Sequence, residues 1–187
     1  MNIHFVAGAS GSGKTSIMRG LQKILGTDVL VHDFDNIGVP DDADKKWRQK
    51  STEYWLQKLL SYNKDACLLG QTVLGEILAC PSTKQLKIIN LCLLDVSDFE
   101  RINRLKKRNG YEADQKMLNW SSWLRMHHQD PRWMQHVIKE DSWEDLDFSK
   151  WDKLDSWASH ANIKLLDTTN LFIEEVAMNI ANWIRYS

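Results

Sequence analysis

Eight consecutive residues, Gly8-Ala9-Ser10-Gly11-Ser12-Gly13-Lys14-Thr15, constrain this chain more than any others. They follow an apolar run over residues 3–7. They precede an apolar stripe at helical spacing, Ile17, Leu21, Ile24 and Leu25, that stops at Gly26. The pattern predicts a buried strand, a glycine-rich loop and a helix. The spelling satisfies G-x-x-x-x-G-K-[ST] at every position. Glycines let the backbone curl so that successive N–H groups face phosphate oxygens. The helix N-terminus adds its partial positive charge. Lys14 is then placed to reach β- and γ-phosphates, and the Thr15 hydroxyl to ligate the Mg²⁺ between them. Gly8, Ala9, Ser10, Gly11, Ser12, Gly13, Lys14, Thr15 and Ser16 are therefore the candidate nucleotide-binding residues. The competing reading is a glycine-rich turn that binds nothing, and the complete motif in its expected context weighs against it. The motif alone does not separate kinases from GTPases or motor ATPases.

The rest of the chain repeats the strand–helix rhythm. Further strands are predicted at 29–32, 66–69, 88–94 and 163–166. Helices are expected after Pro40 to about Tyr62, over 73–79, through Phe99, Ile102 and Leu105, and from Ile173 to Ile184. Continuous apolar strands alternating with amphipathic helices indicate an α/β fold with a parallel sheet covered on both faces. Trp47, Tyr54, Trp55, Leu59 and Leu60 are expected on the buried side of the helix after Pro40.

Composition narrows the classes further. At 187 residues the chain fits one domain, long enough to bury a core without a metal or disulfide staple. The formal net charge of −1 gives no support to an obligatory nucleic-acid partner, since such domains carry a basic excess. The three cysteines, Cys67, Cys80 and Cys92, sit apart in apolar stretches and read as free thiols of a reducing compartment. No apolar run approaches the roughly 20 residues of a membrane span, and no signal peptide is recognisable. The cytoplasm is the expected location, with no membrane partner.

Asp33 and Asp35 come at the end of the second strand. Ligands of open α/β sheets sit at the carboxyl ends of the strands, so both carboxylates are expected beside the phosphate loop. An Asp there can hold the metal's water or accept a proton from an attacking hydroxyl. The plainer use of either is to cap the following turn.

A phosphate loop near the N-terminus followed by D-x-D after the second strand resembles small P-loop kinases of the nucleoside-monophosphate-kinase superfamily. The fold this implies is a three-layer P-loop domain with a five-stranded parallel sheet ordered 2-3-1-4-5 and a helical lid. The implied ligands are ATP, Mg²⁺ and a small-molecule acceptor. Gluconate and shikimate kinases carry a similar D-x-D. That likeness makes Asp35 the base and Asp33 the metal-side partner, alongside Thr15. The polynucleotide 5′-kinase branch favours Asp33 as base but has an Arg soon afterwards, where this chain has Asn36. The choice between the two aspartates stays open.

The stretch from Asp95 to Arg108 is similar to the lid approach of the same kinases, with R-L-x-x-R spelled by Arg104 and Arg108. The resemblance puts one Arg over the adenine and the other toward the phosphates, where a lid cation neutralises developing charge. Asp167-Thr168-Thr169-Asn170 is similar to the turn that lies against adenine in this superfamily. One departure stands out: the third strand ends Leu69-Gly70-Gln71, with no Walker-B carboxylate. The resemblance lets Gln71 touch the acceptor instead.

Residues 110–160 contain no convincing strand and hold six of the nine tryptophans, Trp120, Trp123, Trp133, Trp143, Trp151 and Trp157. They read as a helical insertion within a single domain. Arg125, with Trp120 and Trp123, is a candidate for stacking on an acceptor. The plainer reading is a helical cap using Trp as its own core.

Two other functions bear on the same residues. A nucleotide-binding switch finds D-x-x-G in Asp35-Asn36-Ile37-Gly38, too close to the phosphate loop to leave room for a switch strand. Asn63-Lys64-Asp65 lacks the extra residue of N-K-x-D. A polynucleotide 5′-hydroxyl kinase would need a single-strand platform, for which Arg125, Arg132 and the tryptophans are the material. The expected activity is therefore ATP-dependent phosphoryl transfer to a small-molecule hydroxyl or phosphate acceptor. The sequence leaves the acceptor and the oligomeric state open.

Overall fold

The computed structural model describes residues 1–108, 113–149 and 161–187. Five strands, β1 (Ile3–Ala7), β2 (Leu30–Asp33), β3 (Ala66–Gly70), β4 (Ile89–Asp95) and β5 (Ala161–Asp167), form one sheet. Their order is β2-β3-β1-β4-β5, and every neighbouring pair is parallel. The 2-3-1-4-5 order and the α/β class match the expectation from sequence.

The alternation of side chains along the central strands explains the layers. Ile3, Phe5 and Ala7 of β1, with Leu68 of β3 and Leu91 of β4, face one core. That core is closed by α2 (Lys45–Ser61), α3 (Leu74–Ala79), α5 (Gln115–Gln129) and α6 (His136–Lys139). Val6, Leu69, Cys92 and Leu94 face the other way, onto α1 (Lys14–Leu25) and the C-terminal helix α7 (Ile173–Tyr186). Helix α4 (Asp98–Lys106) follows β4. The three cysteines are buried free thiols, as expected. Among the described residues, no helix is long and apolar enough to cross a membrane.

Several boundaries differ from the sequence reading. Asp33 is the last residue of β2, and residues 34–37 form a 3₁₀ turn instead of an open loop. Helix α2 begins at Lys45, where Asp44 Oδ1 accepts from Trp47 N at 2.7 Å, and not nearer Pro40. Trp55 and Leu59 are buried as expected, but Tyr54 is exposed and Leu56 takes an interior place. On α4, Phe99 is 77% exposed, and the buried positions are Arg101 and Leu105. The helix turns its i, i+4 pair inward because the Arg101 guanidinium finds charged and carbonyl partners there, described below.

The described part of the insertion is helical. Trp120 stacks on Trp123 with centroids 5.0 Å apart, and Trp123 on His127 at 4.4 Å. His127 Nε2 accepts from Gly75 N at 3.1 Å, tying α5 to α3. These tryptophans serve as packing, the plainer of the two readings. Trp151, Trp157 and the start of the insertion at 110 lie outside the described residues.

Candidate active site

The phosphate loop sits between β1 and α1, at the carboxyl end of the sheet. Gly11 and Gly13 hold φ of +81° and +99°, a region that L side chains avoid and glycine enters freely. A Cβ on Gly8 would stand 2.4 Å from Ser12 Oγ and 2.8 Å from the Leu94 carbonyl oxygen. The motif's glycines are thus demanded by curvature at two positions and by close approach at the third. Around Gly13 the space is open, so the curled backbone leaves a cradle.

Lys14 curls back over its own loop, donating to the carbonyls of Gly8 (2.5 Å) and Ala9 (3.3 Å). Burial, with help from nearby Arg101 and against the pull of Asp35 and Asp33, brings its pKa down to about 8. Lys14 shares a pocket of about 110 Å³ with Thr15, Asp33, Asp35, Gln71 and Arg108. Two carboxylates and a hydroxyl around a small polar space form an oxygen donor set suited to Mg²⁺ that keeps several of its waters.

Asp33 and Asp35 differ in what they touch. Asp33 Oδ1 accepts from Asp35 N at 3.0 Å and caps the 3₁₀ turn. Asp35 is raised above the usual carboxylate range by partial desolvation and by the adjacent Asp33, against the pull of Lys14. It also borders a second pocket of about 390 Å³, walled by Phe34, Asp44, Lys45, Trp47, Arg48 and Gln71. Asp35 and Gln71 are common to both spaces, so the second pocket adjoins the one beside the phosphate loop.

The absence of a carboxylate at the end of β3 has a steric reason. A Cβ on Gly70 would lie 2.2 Å from Phe34 Cβ. The Phe34 side chain, fully buried, occupies the place any side chain at residue 70 would need.

A third space, of about 480 Å³, lies on the other side of the loop. Gly13, Ser16, Arg104, Arg108, Thr168 and Phe172 are among its walls. Arg104 Nη2 donates to the Thr168 carbonyl at 2.8 Å, and Nη1 to Thr168 Oγ1 at 3.2 Å. Its Nε pairs with Glu100 at 2.9 Å. Arg108 reaches both this space and the phosphate pocket. The turn after β5 is held by Thr169 N donating to Asp167 Oδ1 at 2.9 Å and by Thr168 N donating to the Asp95 carbonyl at 2.8 Å.

Arg125 stands apart from these walls. Its Nε donates to Asp95 Oδ2, and its Nη2 to Asp95 Oδ1 at 3.2 Å. It therefore does not join Asp35 and Gln71 in the pocket beside the phosphate loop.

Sequence reasoning passed over two residues here. Arg101, 1% exposed, donates to the Ser10 carbonyl (2.8 Å), to Asp95 Oδ1 (3.0 Å) and to the Val96 carbonyl (3.2 Å). It rivets the phosphate loop to the end of β4. Asp95 pairs with both Arg101 and Arg125 and so joins that rivet to α5. A carboxylate immediately after the most apolar strand was the available signal for Asp95. Arg101 had none, because an arginine on a charged helix ordinarily belongs to solvent.

Comparison with known proteins bears on the fold. The family model described as an AAA domain matches residues 5–122. No curated protein sequence matches the chain. Among solved structures, a sugar kinase from Janibacter sp. HTCC2649 is similar with a TM-score of 0.60 at 15% identity. That match covers 99% of this chain and 95% of the other. A gluconokinase from Sinorhizobium meliloti 1021 gives 0.56 at 13% identity, over 99% and 91% of the two chains. A shikimate kinase from Acinetobacter baumannii, in complex with shikimate, gives 0.52 at 16%, over 100% and 94%. At such identities the likeness is one of fold.

Proposed function

The chain belongs to the AAA-domain family, and on that premise we propose that it is a Mg²⁺-dependent kinase. It would transfer the γ-phosphate of ATP to a small-molecule acceptor, within one domain bearing a helical insertion. The observation that carries this reading is the shared wall: Asp35 and Gln71 border both the phosphate-loop pocket and the larger pocket beside it. A motor or switch needs the first pocket; only a transferase needs an acceptor space opening onto it.

Each residue then has a role. The loop backbone from Gly8 to Thr15 and the Lys14 ammonium hold the phosphates. Thr15 and Asp33 would hold the Mg²⁺, whose charge offsets that of the phosphate oxygens. The acceptor hydroxyl attacks the γ-phosphorus in line, the bond to the β-phosphate oxygen breaks, and ADP leaves. Asp35 takes the hydroxyl proton; its raised pKa and its place on both pockets favour it over Asp33, which is engaged in capping the turn. Arg108 offsets charge on the transferring group. Arg104, Thr168 and Phe172 would flank the nucleotide base.

The test is ADP release from Mg·ATP with a panel of sugars, sugar acids, nucleosides, nucleoside monophosphates and a 5′-hydroxyl oligonucleotide. Release that rises with one acceptor class, and is lost in Lys14→Ala and Asp35→Asn, is the expected result. Slow hydrolysis indifferent to every acceptor and to Asp35→Asn would overturn the proposal in favour of a nucleotide switch.

A further inference from the structure

The pocket beside Asp35 contains an arginine that is already spent. Arg48, in the first turn of α2, donates Nε to Glu76 Oε2 at 3.0 Å and Nη2 to Glu76 Oε1 at 2.6 Å. This two-point contact matches the planar fork of the guanidinium to the carboxylate. Glu76 is wholly buried. It also accepts from Gln49 Nε2 at 3.0 Å. Gln49 is itself held at both ends, donating to the Ile138 carbonyl at 2.9 Å and accepting from Trp143 N at 2.7 Å. The Trp120 ring lies 5.1 Å from the Arg48 guanidinium carbon. The ion pair is thus clamped by α2, α3 and the insertion together.

Charge in this pocket is therefore counted differently from its residue names. Asp35 and Asp44 oppose Lys45 and Arg48 on the walls, but Glu76 cancels Arg48 from behind. Lys45 is drawn outward, its Nζ donating to the Glu140 carbonyl at 2.5 Å. An anionic acceptor seeking a two-point contact with Arg48 would have to pull it off Glu76, leaving a buried carboxylate without its partner, a strongly unfavourable exchange. What remains for an acceptor is a set of hydrogen-bonding groups: the Asp35 and Asp44 carboxylates, the Gln71 amide and the outer Nη1 of Arg48. Trp47 provides an apolar wall beside them, its ring edge to face with that of buried Phe34 at 6.0 Å. Alternating hydroxyls on an apolar carbon frame match such a wall.

Resting on the kinase reading above, we propose that the acceptor is a polyhydroxy compound bearing no carboxylate or phosphate, and that the Arg48–Glu76 pair sets this selectivity by keeping Arg48 neutralised. The experiment compares matched acceptors at fixed Mg·ATP: an aldohexose against the hexonic acid of the same carbon frame, and a cyclitol against a cyclic polyhydroxy carboxylic acid. The expected result is kcat/KM at least tenfold higher for the uncharged member of a pair. Glu76→Gln keeps the shape of the side chain and removes its charge, and should move that ratio at least tenfold toward the acid. Asp44→Asn retains the helix cap and should move it in the same direction by a smaller factor, about threefold, should Glu76→Gln fail to fold.

Preference of the wild type for the acid members would overturn the charge assignment and leave the kinase reading standing. Unchanged ratios in both folded variants would overturn the role of the pair. No transfer to any of these four, with transfer to another class of the wider panel, would overturn this proposal and leave the kinase reading standing; no transfer to any acceptor, with Mg·ATP bound, would overturn both.

Discussion

Replacing Arg101 by Met tests whether a buried cation braces the phosphate loop. Its guanidinium spans three acceptors, the Ser10 carbonyl at 2.8 Å, Asp95 at 3.0 Å and the Val96 carbonyl at 3.2 Å. Hydrogen bonds to a charged donor contribute about 1.5–3 kcal/mol each. Met fills much of the same volume and recovers the desolvation of the guanidinium. Asp95 keeps Arg125 as a partner, so its charge is not orphaned. The two carbonyls are what lose their donors, and the net cost is on the order of 3 kcal/mol. For a chain of this size that lowers Tm by about 6–12 °C. Urea unfolding and thermal melts read the stability. Nucleotide titration reads the proposed function, since a slackened Ser10 carbonyl loosens the loop that would hold the phosphates. Roughly tenfold weaker ATP binding is expected if about half the lost energy is felt there. Arg101→Lys keeps the charge but not the fork, and should fall between the two. A cost below about 1 kcal/mol, with ATP affinity unchanged, would refute the bracing argument.

Other measurements follow from the same geometry. Gly70→Ala puts a methyl 2.2 Å from Phe34 Cβ and should destabilise by about 2 kcal/mol or more, visible as a Tm lowered by roughly 4–8 °C. Asp35→Asn should reduce kcat by about 10²–10⁴, whereas Asp33→Asn should chiefly raise the Mg²⁺ concentration needed; the reverse pattern in a Mg²⁺ titration would exchange their roles. Burial pushes the pKa of His127 down to about 3 and that of His128 to about 4. Both are neutral when folded and would titrate near 6.5 when unfolded, so stability is full above pH 6.5 and drains as pH falls toward 4. Unfolding at pH 5 should cost on the order of 3 kcal/mol less than at pH 7, and a flat urea midpoint between those values would contradict the assignment.

The sheet was legible because β1, β3 and β4 are near-continuous apolar runs, broken inside only by His4 and Asn90, as strands buried on both faces are. The phosphate loop was legible because its residue types follow from backbone curvature, which local sequence dictates. The D-x-D was found because it ends the second strand, although only the structure shows that Asp33 spends an oxygen on the turn. What escaped notice depended on partners distant in sequence. Arg101 and Phe99 exchange their expected places because Asp95 and the Ser10 carbonyl await the guanidinium. The Arg48–Glu76 pair joins helices 28 positions apart and leaves no periodic trace. Arg125 looked available for a ligand because the carboxylate that holds it lies 30 positions upstream.

The position of β1 also governs when the molecule can first work. It is made first, yet it lies between β3 and β4 and has no neighbour of its own until those strands exist. At about 5–20 residues per second, the roughly 60 residues separating β1 from β3 take on the order of 3–12 s to emerge. Through that interval the phosphate loop is chain without a scaffold, and Ser10 has no Arg101 to bind. The loop is therefore braced late, after β4 and α4 have left the ribosome. A nucleotide present during synthesis would act on the closing steps of assembly, not on the opening ones.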